Sequence, residues 1–367
     1  MTALKLISCF TALTMIMMIL SPDTALTAAT RGMTTWWNIV FPSLLPFFVL
    51  TDLLIKGGVV SYVSKLFAPF MRPLFRLPGE AGFVLVMGTV AGFPMGAKLT
   101  EQLYSKRAIT KQTAEHLVCF TNASNPIFIT GAIAVGFLHE PRTGIFLAAC
   151  HYIGNVFVGL LLRMYYKNNA RSMPSLTPVR SEAPIGKLLS DSIKQATETL
   201  LLIGGLMIVF SVIQASLPIA DVLLIALPFL DEALTHGLVA GIFELTIGAE
   251  LIGSSSASIQ IKLILISFLL GFNGLSVHAQ VASILAHTPV RYRMFLLSRL
   301  LHGTISAGLM TIALPFLSLS DTPVFNQPEL SISTYGLPWV TALTLLIYGI
   351  LLIRKFSTQR ISYVRRH

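Results

Sequence analysis

The chain has 367 residues, 54% of them hydrophobic and only 11% charged. Soluble domains carry about 25% charged residues, so composition excludes an ordinary soluble domain and indicates an all-α polytopic membrane protein. The formal net charge of +10 does not indicate a nucleic-acid partner, because the lysines and arginines form no face or stripe; they fall in short loops between apolar runs, where they report orientation in the lipid bilayer.

Residues 4–21 form the first apolar run, with a single Lys5 and a following Ala25-Leu26-Thr27-Ala28-Ala29 that loosely resembles a cleavage site. The run is nearly bilayer length and the rest of the chain is also apolar, so residues 1–35 read as a retained first span and an external loop. Further spans are expected near 36–56, 112–138, 143–165, 195–214, 262–287, 291–317 and 335–354, about eight in all. Residues 59–77 carry Val63, Leu66, Phe67, Phe70 and Leu74 at helical spacing, with Lys65, Arg72 and Arg76 interleaved. That pattern describes an interfacial helix in the membrane plane, kinked by Pro69 and Pro73. Residues 217–230 are either its counterpart or a loop packed on the bundle. Cys9, Cys119 and Cys150 lie in or beside apolar segments, an odd set that argues against a disulfide framework or a metal cage.

Segments 81–105 and 234–258 are apolar but rich in Gly, and each precedes a span broken by polar residues. They are expected to be re-entrant helical hairpins, the first opening to the cytoplasm and the second to the far side. Placing both termini in the cytoplasm leaves Arg31, Arg142 and Lys262 outside and the bulk of the basic residues inside. Each half then reads span, hairpin, broken span, span, in opposite orientations. The chain divides into a first repeat (36–166), a cytoplasmic linker (167–190), a second repeat (191–317), and an external loop, last span and basic tail (318–367).

Two inserts carry the functional signal. Gly92-Phe93-Pro94-Met95-Gly96-Ala97-Lys98-Leu99 is followed by Thr121-Asn122-Ala123-Ser124-Asn125-Pro126, and Gly248-Ala249-Glu250-Leu251 by Phe272-Asn273-Gly274-Leu275-Ser276. Paired Gly/Pro-interrupted apolar segments in the two halves of a chain point to a transporter's binding site, because broken helices expose backbone dipoles that lipid does not tolerate. Gly92, Pro94 and Gly96 shape the first hairpin. Asn122, Ser124 and Asn125 precede Pro126, which disfavours helix before it; Asn273 and Ser276 flank Gly274. These amides and hydroxyls either face a solute or act as interhelical glue.

Ionisable groups at membrane depth are functional by default. Lys98 is the best candidate for meeting an anionic group; the alternative is a pair with Glu101 or snorkelling to the cytoplasmic edge. Glu244 and Glu250 are candidates for binding a coupling proton or cation. His151 with Asn155, and Arg299 with His302, share helix faces and read as bundle hydrogen bonding, while His278 and Gln280 are better placed for a pathway. No enzyme signature is present: there is no Gly-x-Ser-x-Gly elbow or phosphate loop, and His139-Glu140-Pro141-Arg142 lacks the second histidine of a zinc protease.

Together, Phe41-Pro42-Ser43-Leu44-Leu45-Pro46-Phe47-Phe48, the Gly92–Lys98 insert, Thr121–Pro126 and Gly271–Ser276 resemble the YlbJ or SpoVV sporulation integral membrane proteins, over roughly residues 36–317. That family falls in the nucleoside recognition, or Gate, superfamily, which is similar to the cores of concentrative nucleoside transporters. The resemblance implies transport of dipicolinic acid, a small aromatic dicarboxylate, out of the mother cell across the outer forespore membrane. It also implies a functional link to the SpoVA inner-membrane uptake system. The first hairpin lacks the Gln-Thr-Glu pattern of ribose recognition, and Lys98 suits a dicarboxylate better than a nucleoside. The alternatives are a carrier of nucleosides or other small organic solutes, and a non-transporting sporulation scaffold. No cofactor is implied; coupling to Na+ or H+ and the oligomeric state stay open.

Overall fold

The computed structural model describes residues 3–165, 183–226 and 231–317; the expected span 335–354 and most of the linker lie outside them. All regular structure among the described residues is helical. Helix α1 (Ala3–Leu20) is followed by α2 (Pro22–Thr35), a π-helical stretch Trp36–Val40 and α3 (Phe41–Lys56). The last three run on as one apolar helix, Pro22–Lys56. Residues 22–35, expected as a loop, are therefore helical: Ser21 breaks the chain, Pro22 at N1 suits a helix start, and the Ala-rich stretch propagates it. Trp36 ties this helix to α9 (Ile185–Ser216), its indole donating to the Leu200 carbonyl at 3.0 Å. A Cβ at Gly204 would lie 2.5 Å from the same ring.

Helix α4 (Val59–Phe75) runs through Pro69 and Pro73 between left-handed Gly58 and Arg76. It buries Met71 against α5 (Glu80–Val90), stacks the buried Phe75 on Phe120, and exposes Tyr62, Leu66, Phe70 and Leu74, one per turn. Helices α5 and α6 (Met95–Ser105) form the first hairpin. Next come α7 (Lys111–Thr121), an irregular 122–125, a helical stretch that starts at Pro126 and runs on as the π-helical Phe128–Phe137, and α8 (Thr143–Tyr165). After α9 and α10 (Ile219–Ala226), α11 (Glu232–Phe243) and α12 (Leu245–Ser254) form the second hairpin. The chain continues through α13 (Ile259–Phe272), α14 (Gly274–Leu285) and α15 (Tyr292–Ala313).

Five stretches among the described residues are long and apolar enough to cross a membrane: Pro22–Lys56, Thr143–Tyr165, Ile185–Ile225, Ile259–Leu285 and Tyr292–Phe316. Each arm of the first hairpin has 11 residues, about 16 Å at 1.5 Å per residue, roughly half the hydrocarbon thickness. The hairpins close on glycine. A Cβ at Gly88 would lie 3.2 Å from the Gly96 Cα, and one at Gly248 only 2.1 Å from the Gly241 Cα. The two halves interlock: α6 packs on α14, and α12 packs on 128–137, where a Cβ at Gly253 would meet the Phe137 carbonyl at 2.6 Å. Helices α8, α13 and α15 pack behind the breaks.

Candidate functional site

The first break is built by its own polar residues. Asn122 ends α7, and Asn125 Oδ1 accepts from Phe128 N at 2.6 Å, capping the next helical stretch. Ser124 N donates to His151 Nε2 at 3.0 Å, and Tyr152 Oη to the Ser124 carbonyl at 2.9 Å. At the second break Asn273 takes a left-handed φ of 77° and Gly274 one of 72°, a region that Asn and Gly tolerate. Asn273 Nδ2 donates to the Asn122 carbonyl at 3.3 Å. The two breaks therefore touch.

A fully buried arginine holds them there. Arg299 Nη1 donates to the Asn122 carbonyl at 2.9 Å, and Nη2 donates to the Cys119 carbonyl and to Asn155 Oδ1 at 3.2 Å. The guanidinium meets the carbonyl end of α7, where a cation offsets the helix dipole. Arg299 also donates to His302 Nδ1 at 3.1 Å, and His302 Nε2 in turn donates to the His151 carbonyl at 2.8 Å. Asn155 Nδ2 reaches the Phe120 carbonyl. The sequence reading of these four residues as bundle hydrogen bonding matches this arrangement.

Both hairpin tips reach the breaks. Gly92, at φ 83°, lies where a Cβ would stand 3.1 Å from Asn125 Cβ; a Cβ on Gly274 would stand 2.9 Å from Leu245 N, in the second tip. Between them lies a cleft with about 430 Å³ of empty space, the open solvent at its mouth included. Gly92 and Phe93 line it from the first hairpin, and Glu244 and Thr246 from the second. Asn125 and Phe128 come from the first break, Val277 and Gln280 from α14, and Ile203 and Met207 from α9, with Ser43 and Leu44 closing the side.

Buried polar groups are ordinarily hydrogen-bonded, yet several at the breaks have no partner among the described residues. These are both side-chain heteroatoms of Asn122, Ser124 Oγ, Asn273 Oδ1, Ser276 Oγ and Gln280 Oε1. Glu244 is buried at the second tip, its Oε2 accepting from Ile247 N at 2.9 Å and its Oε1 from Thr246 Oγ1 at 3.3 Å.

Other candidates sit elsewhere. Lys98 does not line the cleft; its Nζ donates to Thr199 Oγ1 at 2.9 Å, and the charges of Asp52, Glu198, Lys56 and Glu101 act on it. Thr199 is four residues before Ile203 on α9, so Lys98 stands one helical turn from the cleft. Glu101 accepts from Ser105 Oγ on its own helix. Glu250 is partly exposed and pairs with Arg31 at 3.1 Å. Pro94 precedes α6, and Gly96 packs on Thr121, whose carbonyl would be 2.3 Å from a Cβ there. Glu115 had no sequence signal beyond its charge inside an apolar run. It is buried and accepts from Arg291 N at 3.1 Å, Nε at 2.9 Å and Nη2 at 2.7 Å, joining α7 to the start of α15.

A relative in Bacillus subtilis (strain 168), the sporulation integral membrane protein YlbJ, is 41% identical over 312 residues, covering 78% of this chain and 76% of that protein. The chain belongs to the YlbJ family of sporulation integral membrane proteins. The family model described as nucleoside recognition (Gate) matches residues 38–140, which within this YlbJ-family chain include the first hairpin and the first break. No solved structure matches the chain. The cleft of this YlbJ-family protein draws on Gly92, Asn125 and Glu244 from the sequence-stated candidates. It also draws on Gln280, which the sequence placed near a pathway, and adds Thr246, which carried no sequence signal.

Proposed function

We propose that the chain is a membrane transporter that moves dipicolinic acid out of the mother cell across the outer forespore membrane, in functional succession with the SpoVA inner-membrane system. Convergence of both hairpin tips and both broken helices on one cleft carries this reading. A site at such a junction is the arrangement expected of a secondary carrier. The walls suit a small aromatic ring: Phe93, Phe128, Leu44, Ile203, Met207 and Val277 are apolar, while Asn125 and Gln280 supply amides. The sporulation relative supports the setting.

The finer architecture belongs to the same proposal. About eight spans, both termini cytoplasmic, and two inverted Gate repeats (36–166 and 191–317) place the hairpins as re-entrant elements opening to opposite sides. Short hairpin arms and the reciprocal packing of α6 on α14 and α12 on 128–137 support it. Lys98, one turn from the cleft, meets the anion on its way in, and Asn122, Ser124, Asn273 and Ser276 hold polar contacts at the breaks.

The test is dipicolinate flux into vesicles containing the purified full chain, beside Lys98→Ala and Asn125→Ala, with insertion checked for each. Saturable flux that falls about tenfold or more in both variants, the cost of one well-placed charged contact, supports the carrier and its site. Uridine flux without dipicolinate flux replaces the substrate. Absence of both overturns transport in favour of a sporulation scaffold.

A further inference from the structure

The cleft has the wrong charge for a free dianion. Its lining contains no lysine, arginine or histidine, and its one ionisable side chain is Glu244. Glu244 is 3% exposed and Gln280, facing the same cleft, 1% exposed. Among the described residues no basic group forms an ion pair with Glu244. Among charges on the neighbouring elements, Lys98 of α6 donates to Thr199, Asp52 and Lys56 of α3 pair with each other, and Glu232 of α11 is exposed. Glu250 of α12 pairs with Arg31 of α2, and Lys262 of α13 donates to the Gly253 carbonyl. His278 of α14 lies between Tyr292 Oη and the Phe272 carbonyl, and His236 of α11 meets Asp221 of α10. The ionisable residues of α9 all precede Ile203, and the 128–137 stretch has none.

An anionic solute that entered beside an ionised Glu244 would meet a like charge in a medium of low dielectric, where repulsion is strong. Resting on the carrier reading above, we infer that Glu244 is the specificity-determining acid of the cleft, holding one proton that a carboxylate solute must share in order to bind. Glu244 takes this proton from water at the cleft mouth. Gln280 Oε1 lines the same cleft and no described group engages it, which makes it the proposed acceptor for this O–H when the cleft is empty. When the solute arrives, the O–H turns to the incoming carboxylate, giving a proton shared between two carboxyl groups and no net pair of facing anions. The bonds from Ile247 N and Thr246 Oγ1, one to each oxygen, hold the carboxyl in place in either state. The carrier is thereby selective for acids over neutral isosteres and favours acidic conditions on the loading side.

The experiment is calorimetric titration of dipicolinate into the purified full chain in lipid discs, from about pH 6 to pH 8, in buffers of different ionisation enthalpy, which counts protons bound with the solute. Infrared spectra of the same samples follow the protonated-carboxyl stretch. Wild type is expected to take up a fraction of a proton per solute that rises toward one with pH, as Glu244 of the empty cleft ionises, with affinity then falling by up to about tenfold per pH unit. Glu244→Gln should bind several-fold more weakly, with no proton uptake, no pH dependence and no such stretch. Glu244→Asp keeps a carboxyl and should retain the uptake, which separates lost chemistry from lost folding. Binding by wild type without proton uptake anywhere up to pH 8, uptake that persists in Glu244→Gln, or a missing carboxyl stretch at every pH overturns the inference. If dipicolinate does not bind at all, the substrate reading falls, and the infrared band alone decides whether Glu244 carries the proton.

Discussion

At the residue scale, the buried cation that organises the site is Arg299 rather than Lys98. Its guanidinium ties carbonyls of α7 to side chains of α8 and α15, so truncation strands several buried acceptors at once. Arg299→Ala is expected to cost about 3 kcal/mol or more, read as a lower midpoint of thermal unfolding in detergent. Arg299→Lys should recover little of it, because an ammonium cannot reproduce the planar fork; full recovery would show that charge alone matters. Asn125→Ala removes the cap on Phe128 N, a loss of about 1 kcal/mol, whereas Asn125→Asp should keep that acceptor and most of the stability. Asn125 was legible in the sequence because it precedes Pro126. Gln280 was only weakly so, since an amide inside an apolar helix looks the same whether it faces a cleft or a neighbour.

At the element scale, glycines decide whether the hairpins close. Gly248→Ala would force a methyl group to within 2.1 Å of the Gly241 Cα, and Gly96→Ala to within 2.3 Å of the Thr121 carbonyl. Both neighbours are backbone and cannot rotate away, so each change is expected to cost at least 1–3 kcal/mol, roughly the usual price of overpacking. Gly205→Ala in α9 meets nothing within 4 Å and should be neutral or raise stability by up to about 1 kcal/mol. Detergent unfolding of the three variants side by side checks the contrast; equal effects would mean that the hairpin contacts carry no special weight. The sequence aligned Gly96-Ala97-Lys98-Leu99 with Gly248-Ala249-Glu250-Leu251 but did not show what each glycine meets: Gly96 packs on Thr121 of α7 and Gly248 on Gly241 of its own hairpin. Residues 22–35 were misread as loop because their weak apolar character hid a helix fixed by packing on α9.

At the scale of the whole molecule, the proposed inverted repeat makes a simple prediction about sidedness. Single cysteines at Ser105 and Ser256, both exposed, sit at the open ends of the two hairpins. In a background with Cys9, Cys119 and Cys150 replaced, an impermeant thiol reagent is expected to label them from opposite faces of the membrane. Labelling from the same face would overturn the inverted arrangement while leaving the cleft intact. The tie between Glu115 and Arg291 also belongs to this scale, because it joins elements 176 residues apart. Glu115→Gln should lower thermal stability in detergent, and an unchanged midpoint would show the tie to be dispensable.

The sequence by itself determined the membrane class, the positions of both helix breaks and the two glycine hairpins. Those features follow from apolar run length and from Gly and Pro acting locally on the backbone. It could not decide which polar residues share one space. The contact of Asn273 with Asn122, the seat of Lys98 one turn from the cleft, and the placing of Glu244 and Asn125 on one cleft all depend on how the halves interlock. The bonds from Asn273 to Asn122 and from Lys98 to Thr199 join segments more than 100 residues apart, and the packing that brings them together leaves no periodic trace in either segment alone.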